Sequence, residues 1–332
     1  MFADIASPSP LLTRHLGPHA QDAADVGWLR FRDVEEQASA LTGWNQHYLQ
    51  LSAGTFHGEL CQLHGPGIRL FVERMQQSVL QIGVLPGDVL AVGIPLETSG
   101  SGLFCGQPCG TDDFHVFSGA CGFEFRSSRQ HTMLGIELQL ERGWLSAAAS
   151  GQQPWATQAG VWRMAPAALA ELKAYLLTLW QSAQAQPGLL AKAAVVSTVA
   201  DFLLDRMAQA SRGGAADLRM DTCSLWQLVQ QARARVKDTP GPAPTVAQLC
   251  LDLDVSRRTL QNGFQRVLGV SPLAYLKAVR LDQARRALKR VSSVTEAATA
   301  HGFWHFGHFS QDYQAMFGEQ PSATLRRHST RS

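Results

Sequence analysis

The chain has 332 residues, 45% apolar and 17% charged, long enough for two or three domains and too apolar for a disordered or fibrous class. Its net charge of +2 is unevenly placed: the chain from Thr245 onward carries +6 and the remainder −4. A basic tail on a mildly acidic body fits the electrostatics of nucleic-acid binding. The N-terminal run MFADIASPSPLL has no basic stretch leading into an apolar one, so no secretory signal is expected. The most apolar long stretch, LLAKAAVVSTVADFLL, is interrupted by Lys192 and Asp201 and falls short of a membrane span. Six scattered cysteines fit free thiols in a reducing cytoplasm, which is the expected location.

Residues 1–43 show no clear period. From His47 to about Leu140, short apolar runs alternate with Gly, Pro and Asp: RLFVERM (Arg69–Met75), VLQIGVL (Val79–Leu85) and VLAVGIPL (Val89–Leu96). Pro86-Gly87-Asp88 reads as a turn, Pro fixing φ and Gly permitting a positive one. Frequent turns between β-rich runs predict an all-β sandwich or barrel, a β-rich, cupin-like sensor over residues 1–165.

The middle is helical. Leu169, Leu172, Leu176 and Leu179 repeat at three- and four-residue spacing, as do Val195, Val199, Phe202 and Leu203, then Leu225, Leu228, Val229, Ala232 and Val236. These stripes predict a helical linker or dimerisation region over 166–238, packed as a simple bundle or as a dimer seam. Three prolines then end the helix and make 239–244 a short stiff linker.

The last ninety residues read as two helix-turn-helix units in tandem. Thr245 is a suitable N-cap for VAQLCLDL, and Ser256 for RRTLQNGFQRVLG, which stops at Gly269. Leu249, Leu253, Val255, Leu260, Phe264 and Leu268 are placed to be buried, which turns Arg258, Gln261, Asn262 and Gln265 outward. Arg suits the O6/N7 edge of guanine, and Gln and Asn suit the N6/N7 edge of adenine, so Arg258, Gln261 and Asn262 are candidate base contacts and Arg257 a candidate phosphate contact. A connecting helix follows Ser271-Pro272. Leu273, Leu276, Val279, Leu281 and Leu288 form its buried side, with Arg280, Arg285, Arg286 and Lys289 as a basic surface. Arg285 and Arg286 are further candidates for phosphates. In the second unit, Thr295 is placed to cap and Gly302 to close its first helix. Phe303, Phe309, Tyr313 and Phe317 supply the core, and His308 and Gln311 face outward as base contacts.

This C-terminal region resembles the DNA-binding domain of the AraC/XylS family of bacterial transcription regulators. The resemblance is carried by Leu249, Val255, Ser256, Leu260, Phe264, Gly269 and Pro272. In the second unit it is carried by Ala298, Gly302, Phe303, Phe309, Ser310, Phe317, Gly318, Pro321 and Ser322. It covers about a quarter of the chain, Thr245 to Arg327. Asp254 departs from the pattern by standing where the family often has Gly, and Leu325 by following Thr324 where an aromatic-Arg pair is common. Within the family, GFWHFGHFSQDYQAMFGEQPSATL resembles the ethanolamine operon regulators, and NQHYLQLSAGTFHGEL (Asn45–Leu60) does so more weakly. That resemblance implies a response to ethanolamine with adenosylcobalamin.

The expected whole is an α+β multidomain protein: β-rich sensor, helical linker, and an all-α double helix-turn-helix domain at 245–327. Expected partners are double-stranded promoter DNA, a small-molecule effector and RNA polymerase, with a homodimer as the working form and no membrane association. Activation is the expected sign of regulation. The rivals are a ligand-independent regulator whose front domain only dimerises, and a metal-dependent cupin enzyme fused to a DNA module. Cys105, Cys109, His115 and Cys121 do not complete a known zinc motif, so buried thiols are expected rather than a metal. Asp112-Asp113 reads as turn chemistry, Ser99–Gly106 lacks the ending of a phosphate loop, and no nucleophile elbow is present. No catalytic residue is expected. Trp28, Trp44, Phe56 and His57 are candidates to line an effector pocket, with core packing as the default reading and no binding role assigned.

Overall fold

Two antiparallel sheets build the front of the molecule; the structure, a computed structural model, describes residues 27–119, 121–141, 154–156, 158–212, 220–239 and 243–329. The first sheet runs β1 (Trp28–Phe31), β3 (Gly58–Gly65), β4 (Ile68–Met75), β11 (His131–Gln139), β6 (Val89–Thr98), β9 (Phe114–Ser118), β12 (Gly160–Arg163) and β13 (Ser211–Arg212). The second runs β2 (Asn45–Gln50), β5 (Val79–Val84), β10 (Gly122–Arg126), β7 (Gly102–Phe104) and β8 (Gln107–Cys109). A short helix, α1 (Val34–Ala40), sits between β1 and β2, where the sequence shows no period. Its N-cap is Asp33, whose Oδ1 accepts from the Glu35 amide at 2.8 Å. Residues 1–26 of that aperiodic segment lie outside the described residues.

The three apolar runs become β4, β5 and β6. Runs in β4 and β6 are nearly continuous because their sheet is buried on both faces. Side chains alternate across a strand, so Leu70, Val72, Leu90 and Val92 face one core while Phe71 and Ala91 face another. The inter-sheet core is aromatic, with Trp44, Phe71, Phe104, Phe117, Phe123 and Phe125 in mutual contact. The Pro86–Asp88 turn takes the chain from the second sheet to the first, and the Val89 amide donates to the Pro86 carbonyl at 3.0 Å. Gly87 is not in the positive-φ region, so the turn does not use the conformation that Gly favours.

Helices α2 (Pro166–Ala185) and α3 (Ala193–Ala208) cover the outer face of the first sheet. The leucine stripe of α2 is buried there with Trp180, joined by Val199, Leu203 and Met207 of α3. Helix α4 (Met220–Asp238) goes elsewhere. Its stripe of Leu225, Leu228, Val229, Ala232 and Val236 shares a core with Leu260, Phe264 and Leu276 of the C-terminal region. At Gly263 the two helices are in packing contact, and an added Cβ would lie 3.4 Å from Val229. The stripe that suggested a bundle or a dimer seam is therefore filled from within the chain, by the first helix-turn-helix unit. Residues 240–242 of the proline-rich linker lie outside the described residues.

Among the described residues no group of three or more His, Cys, Asp or Glu is placed to hold a metal, and Cys105, Cys109 and Cys121 are free thiols. Asp113 accepts from the Gly110 amide at 3.2 Å within its turn, and it also pairs with Arg163 of β12 at 2.5 Å. Trp44 and Phe56 are core residues, and Trp28 lies under the Arg74 guanidinium.

His115 and His131 are buried in the aromatic core, and neither ring nitrogen of either has a hydrogen-bond partner among the described residues. Burial, then the neighbouring His131, pushes His115 down to about 3, and burial pushes His131 down to about 4. Both stay neutral in the folded state while the unfolded chain takes up protons below about pH 6.5, so their contribution is complete above that pH and is lost as pH falls towards 4. His115→Phe should therefore gain on the wild type by roughly 1.4 kcal/mol for each pH unit below 6. Denaturant unfolding at pH 7, 6, 5 and 4 measures this, and a constant gap would refute a neutral buried imidazole.

Candidate nucleic-acid interface

Six helices follow the linker, and nearly every boundary has a local cause. In α5 (Val246–Asp252) Thr245 and Gln248 form a reciprocal capping box. Asp254 then takes φ +49°, a left-handed turn that Asp tolerates better than most residues. Ser256 caps α6 (Arg257–Leu268) by accepting from the Thr259 amide at 3.1 Å, and Gly269 ends it at φ +69°. Ser271 caps α7 (Pro272–Leu288), with Pro272 in its first turn. The second unit is α8 (Val294–Ala300) and α9 (Phe306–Phe317), followed by α10 (Pro321–Ser329). Ser293 rather than Thr295 caps α8, accepting from the Glu296 amide, because the helix begins two residues earlier than a Thr295 cap implies. Leu273 also departs from expectation. It is 60% exposed, because Pro272 takes the buried place in the first turn of α7.

Helix α6 buries Leu260, Phe264, Val267 and Leu268 and turns Arg258, Gln261, Asn262 and Gln265 to solvent. Arg257 and Arg258 begin it with no acidic residue in the first turn. Two cations at the positive end of a helix dipole are unfavourable, and a nearby phosphate offsets that cost. Helix α9 is built the same way. Phe303, Phe309, Tyr313 and Phe317 stack in sequence with centroids 4.8, 5.6 and 4.7 Å apart, leaving His308 and Gln311 exposed. The Tyr313 hydroxyl bonds Thr324 Oγ1 at 2.8 Å and ties α10 to α9. Each unit thus has a helix whose exposed face carries the expected polar side chains, and α7 joins the two.

The helix-turn-helix domain family matches residues 249–327. Residues 249–327 form an AraC-type helix-turn-helix domain. A probable thc operon regulatory protein of Rhodococcus erythropolis is 44% identical over 86 residues, 25% of this chain and 26% of that one. The XylDLEGF operon transcriptional activator of Pseudomonas putida is 40% identical over 76 residues, 22% of this chain and 24% of that one. The matches thus span about a quarter of the length of these curated relatives. Among solved structures, a probable AraC family transcriptional regulator from Rhodopseudomonas palustris is 37% identical, covering 31% of this chain and 97% of that one, with a TM-score of 0.29. The AraC-like activator CuxR is 15% identical, covering 77% and 94%, with a TM-score of 0.43.

The AraC-type domain is docked on the front domain, and this corrects the reading of α7. Arg285 is not on a basic surface. It is buried, its Nε 2.9 Å from Asp33 Oδ2, with a second nitrogen 3.2 Å from Glu319 and its guanidinium over the Phe317 ring. Lys289 reaches Asp33 at 3.0 Å and Glu35 at 2.8 Å. Arg286 is half-buried between Asp282 (3.0 Å) and Glu35 (3.6 Å) and contacts His47. Neither Arg285 nor Arg286 offers a free cation to a phosphate here, because acidic groups of α1 and its cap have claimed them. Burial alone would raise Asp33, but Arg285 and Lys289 outweigh it and hold its carboxyl at about 2.

The loop between β2 and β3 also grips the end of α9. The Gly54 amide donates to the Ala315 and Met316 carbonyls at 3.0 and 3.1 Å, and Gln50 Nε2 donates to Met316 O at 2.7 Å. The front domain thereby satisfies carbonyls that a helix end leaves orphaned. Sequence reasoning gave no role to Trp304 and Phe306, which are 70% and 42% exposed beside His305 and His308. The available signal was the density of aromatics from Phe303 to Phe309, more than one short helix can bury.

Proposed function

We propose that the chain is a sequence-specific DNA-binding transcription regulator, acting as a homodimer and controlled by a small molecule. The observation that carries this reading is the pair of helices, α6 and α9, presenting Arg258, Gln261, Asn262, His308 and Gln311 within a segment matched to helix-turn-helix domains. Each protomer would address two successive major grooves about 34 Å apart along the duplex. Arg257 is the phosphate contact left exposed at the start of α6. The front domain, read as a cupin-like sensor, is joined to the AraC-type domain by the Asp33–Arg285 pair and to α4 by the Glu124–Arg233 pair, so a ligand that alters the docked state alters DNA binding. Promoter activation through RNA polymerase is the proposed output, in the cytoplasm; among the described residues no helix is long and apolar enough to cross a membrane.

Gln261→Ala tests the site. It should relax preference at one base position by roughly 1–3 kcal/mol and leave the salt dependence of binding unchanged. Footprinting on a base-substituted operator series measures it, and identical affinity with an identical preference would remove Gln261 from the contacts. The resemblance of Gly302–Leu325 to ethanolamine operon regulators makes ethanolamine with adenosylcobalamin the first effector pair to try. A gel shift and promoter output unchanged by that pair would eliminate it.

A further inference from the structure

Two large rings stand exposed where the second unit turns into α9. Trp304 and Phe306 face solvent, while Phe303 and Phe309 on either side of them pack together at 4.8 Å in the core of the unit. Neither exposed ring joins that core. Scattered apolar residues are ordinary on a protein surface, but two aromatics within three positions at the tip of one helix form a patch.

Position narrows its use. Phe306 is the first residue of α9, and a recognition helix enters the major groove with its N-terminal residues nearest the base edges. His308 and Gln311 follow on the exposed face, so the patch continues the surface proposed to read bases. Trp304 lines a groove with Thr245 of the first unit and Arg280 of α7, and so borders the space between the two readers. Nothing of the chain covers this tip. Thr245, Ser256, Ser271 and Ser293 cap α5 to α8 with their side chains, whereas α9 has no side-chain cap and no acid in its first turn. The bare positive end of its dipole favours a polyanion as the surface that meets it. At Gly307, the second residue of α9, an added Cβ would meet nothing within 4 Å, so packing inside the chain does not call for glycine there. Glycine weakens a helix relative to alanine, and its use at this point fits close approach by another molecule.

We propose that Phe306, flanked by Trp304, reads thymine in the second major groove by packing its ring against the C5-methyl group. That methyl is the apolar group that base pairs show in the major groove, and a phenyl ring has no hydrogen bond to offer any other base edge. The second unit then discriminates through apolar contact at its tip, where the first relies on the hydrogen bonds of Arg258, Gln261 and Asn262. This inference rests on the reading of the chain as a sequence-specific DNA-binding regulator and adds the base that the tip selects.

Duplexes selected by the full chain from a random-sequence pool supply the probe. Each thymine of the selected site is replaced in turn by deoxyuridine, which lacks only the methyl group, and affinities are compared at fixed salt. About one helical turn from the Gln261-dependent position, at least one replacement should weaken binding about fourfold, the effect of one buried methyl. Phe306→Ala should bind the thymine duplex more weakly by about the same factor and lose nothing further with deoxyuridine at that position. Phe306→Leu, which keeps an apolar side chain, should retain part of the difference, and Gln311→Ala should retain all of it. Because each variant is compared with itself on the two duplexes, a change in its stability does not imitate the result. Wild-type protein indifferent to deoxyuridine at every thymine, or a difference undiminished in Phe306→Ala, would overturn the proposal. So would Phe306 and Trp304 variants that bind every duplex as the wild type does yet lose promoter output, which gives the aromatic tip to a protein partner. Failure of the underlying reading looks different. A chain that selects no sequence from the pool is not a sequence-specific regulator, and the thymine contact falls with it; a chain that selects a site but ignores the methyl groups remains one.

Discussion

Asp33→Ala is expected to undock the front domain from the AraC-type domain. Asp33 is buried, caps α1 through Oδ1, and holds both Arg285 and Lys289 through Oδ2. Removing it leaves two cations in a poorly solvated interface, a change that typically costs about 3–5 kcal/mol. The lower end applies, since Arg285 keeps Glu319 and Lys289 keeps Glu35. Calorimetry should then show two transitions in place of one, and limited proteolysis should cut sooner. Undocking also takes the front-domain carboxylates away from Arg285, Arg286 and Lys289, the cations that the sequence assigned to DNA or to the solvent face of α7. Each new phosphate contact should steepen the plot of log affinity against log salt by about 0.9. A single unchanged transition would show that the Asp33 cluster is not what holds the halves together. Separate transitions with an unchanged salt slope would show that the α7 cations never reach DNA.

The second large effect concerns the two recognition faces, which are chemically unequal. Helix α6 offers Arg258, Gln261 and Asn262, each suited to a bidentate base edge, whereas α9 offers His308 and Gln311. Replacing the three α6 residues by alanine should cost roughly 5 kcal/mol of specific binding, more than three decades, while non-specific binding largely persists through phosphate contacts. His308→Ala with Gln311→Ala should cost about 2 kcal/mol. Competition between operator and random duplex at fixed salt measures both. A larger loss from the α9 pair would reverse the assignment and turn attention to exposed Trp304 and Phe306 beside it.

Much of this architecture was written locally. Caps at Thr245, Ser256 and Ser271, the left-handed turns at Asp254, Gly269 and Gly302, and the strands at β4, β5 and β6 all follow from side chains within a few residues of the feature they set. The outward faces of α6 and α9 were legible for the same reason: once Leu260 and Phe264, or Phe309 and Tyr313, are buried, helical geometry leaves no choice about Gln261 or Gln311. Thr295 and Leu273 mark where local reasoning slips, by two residues and by one, each at a helix start.

The remainder depended on partners far along the chain. Arg285 reads as a surface cation because the one acid of its own helix, Asp282, pairs with Arg286, and the carboxylate that holds Arg285 stands 252 residues earlier at Asp33. The stripe of α4 announces that it will be buried and not against what, since apolar contact is non-directional and any matching surface satisfies it. Which aromatics between Phe303 and Phe309 stay exposed is likewise settled by what packs against them. The sequence by itself therefore determined the C-terminal helices, most of their caps and the outward faces of α6 and α9, because these are set by backbone geometry over a few residues. Tertiary structure decided which cations are claimed by carboxylates, where α4 packs and which rings are left at the surface, because charge pairing and burial depend on groups brought together from the whole chain.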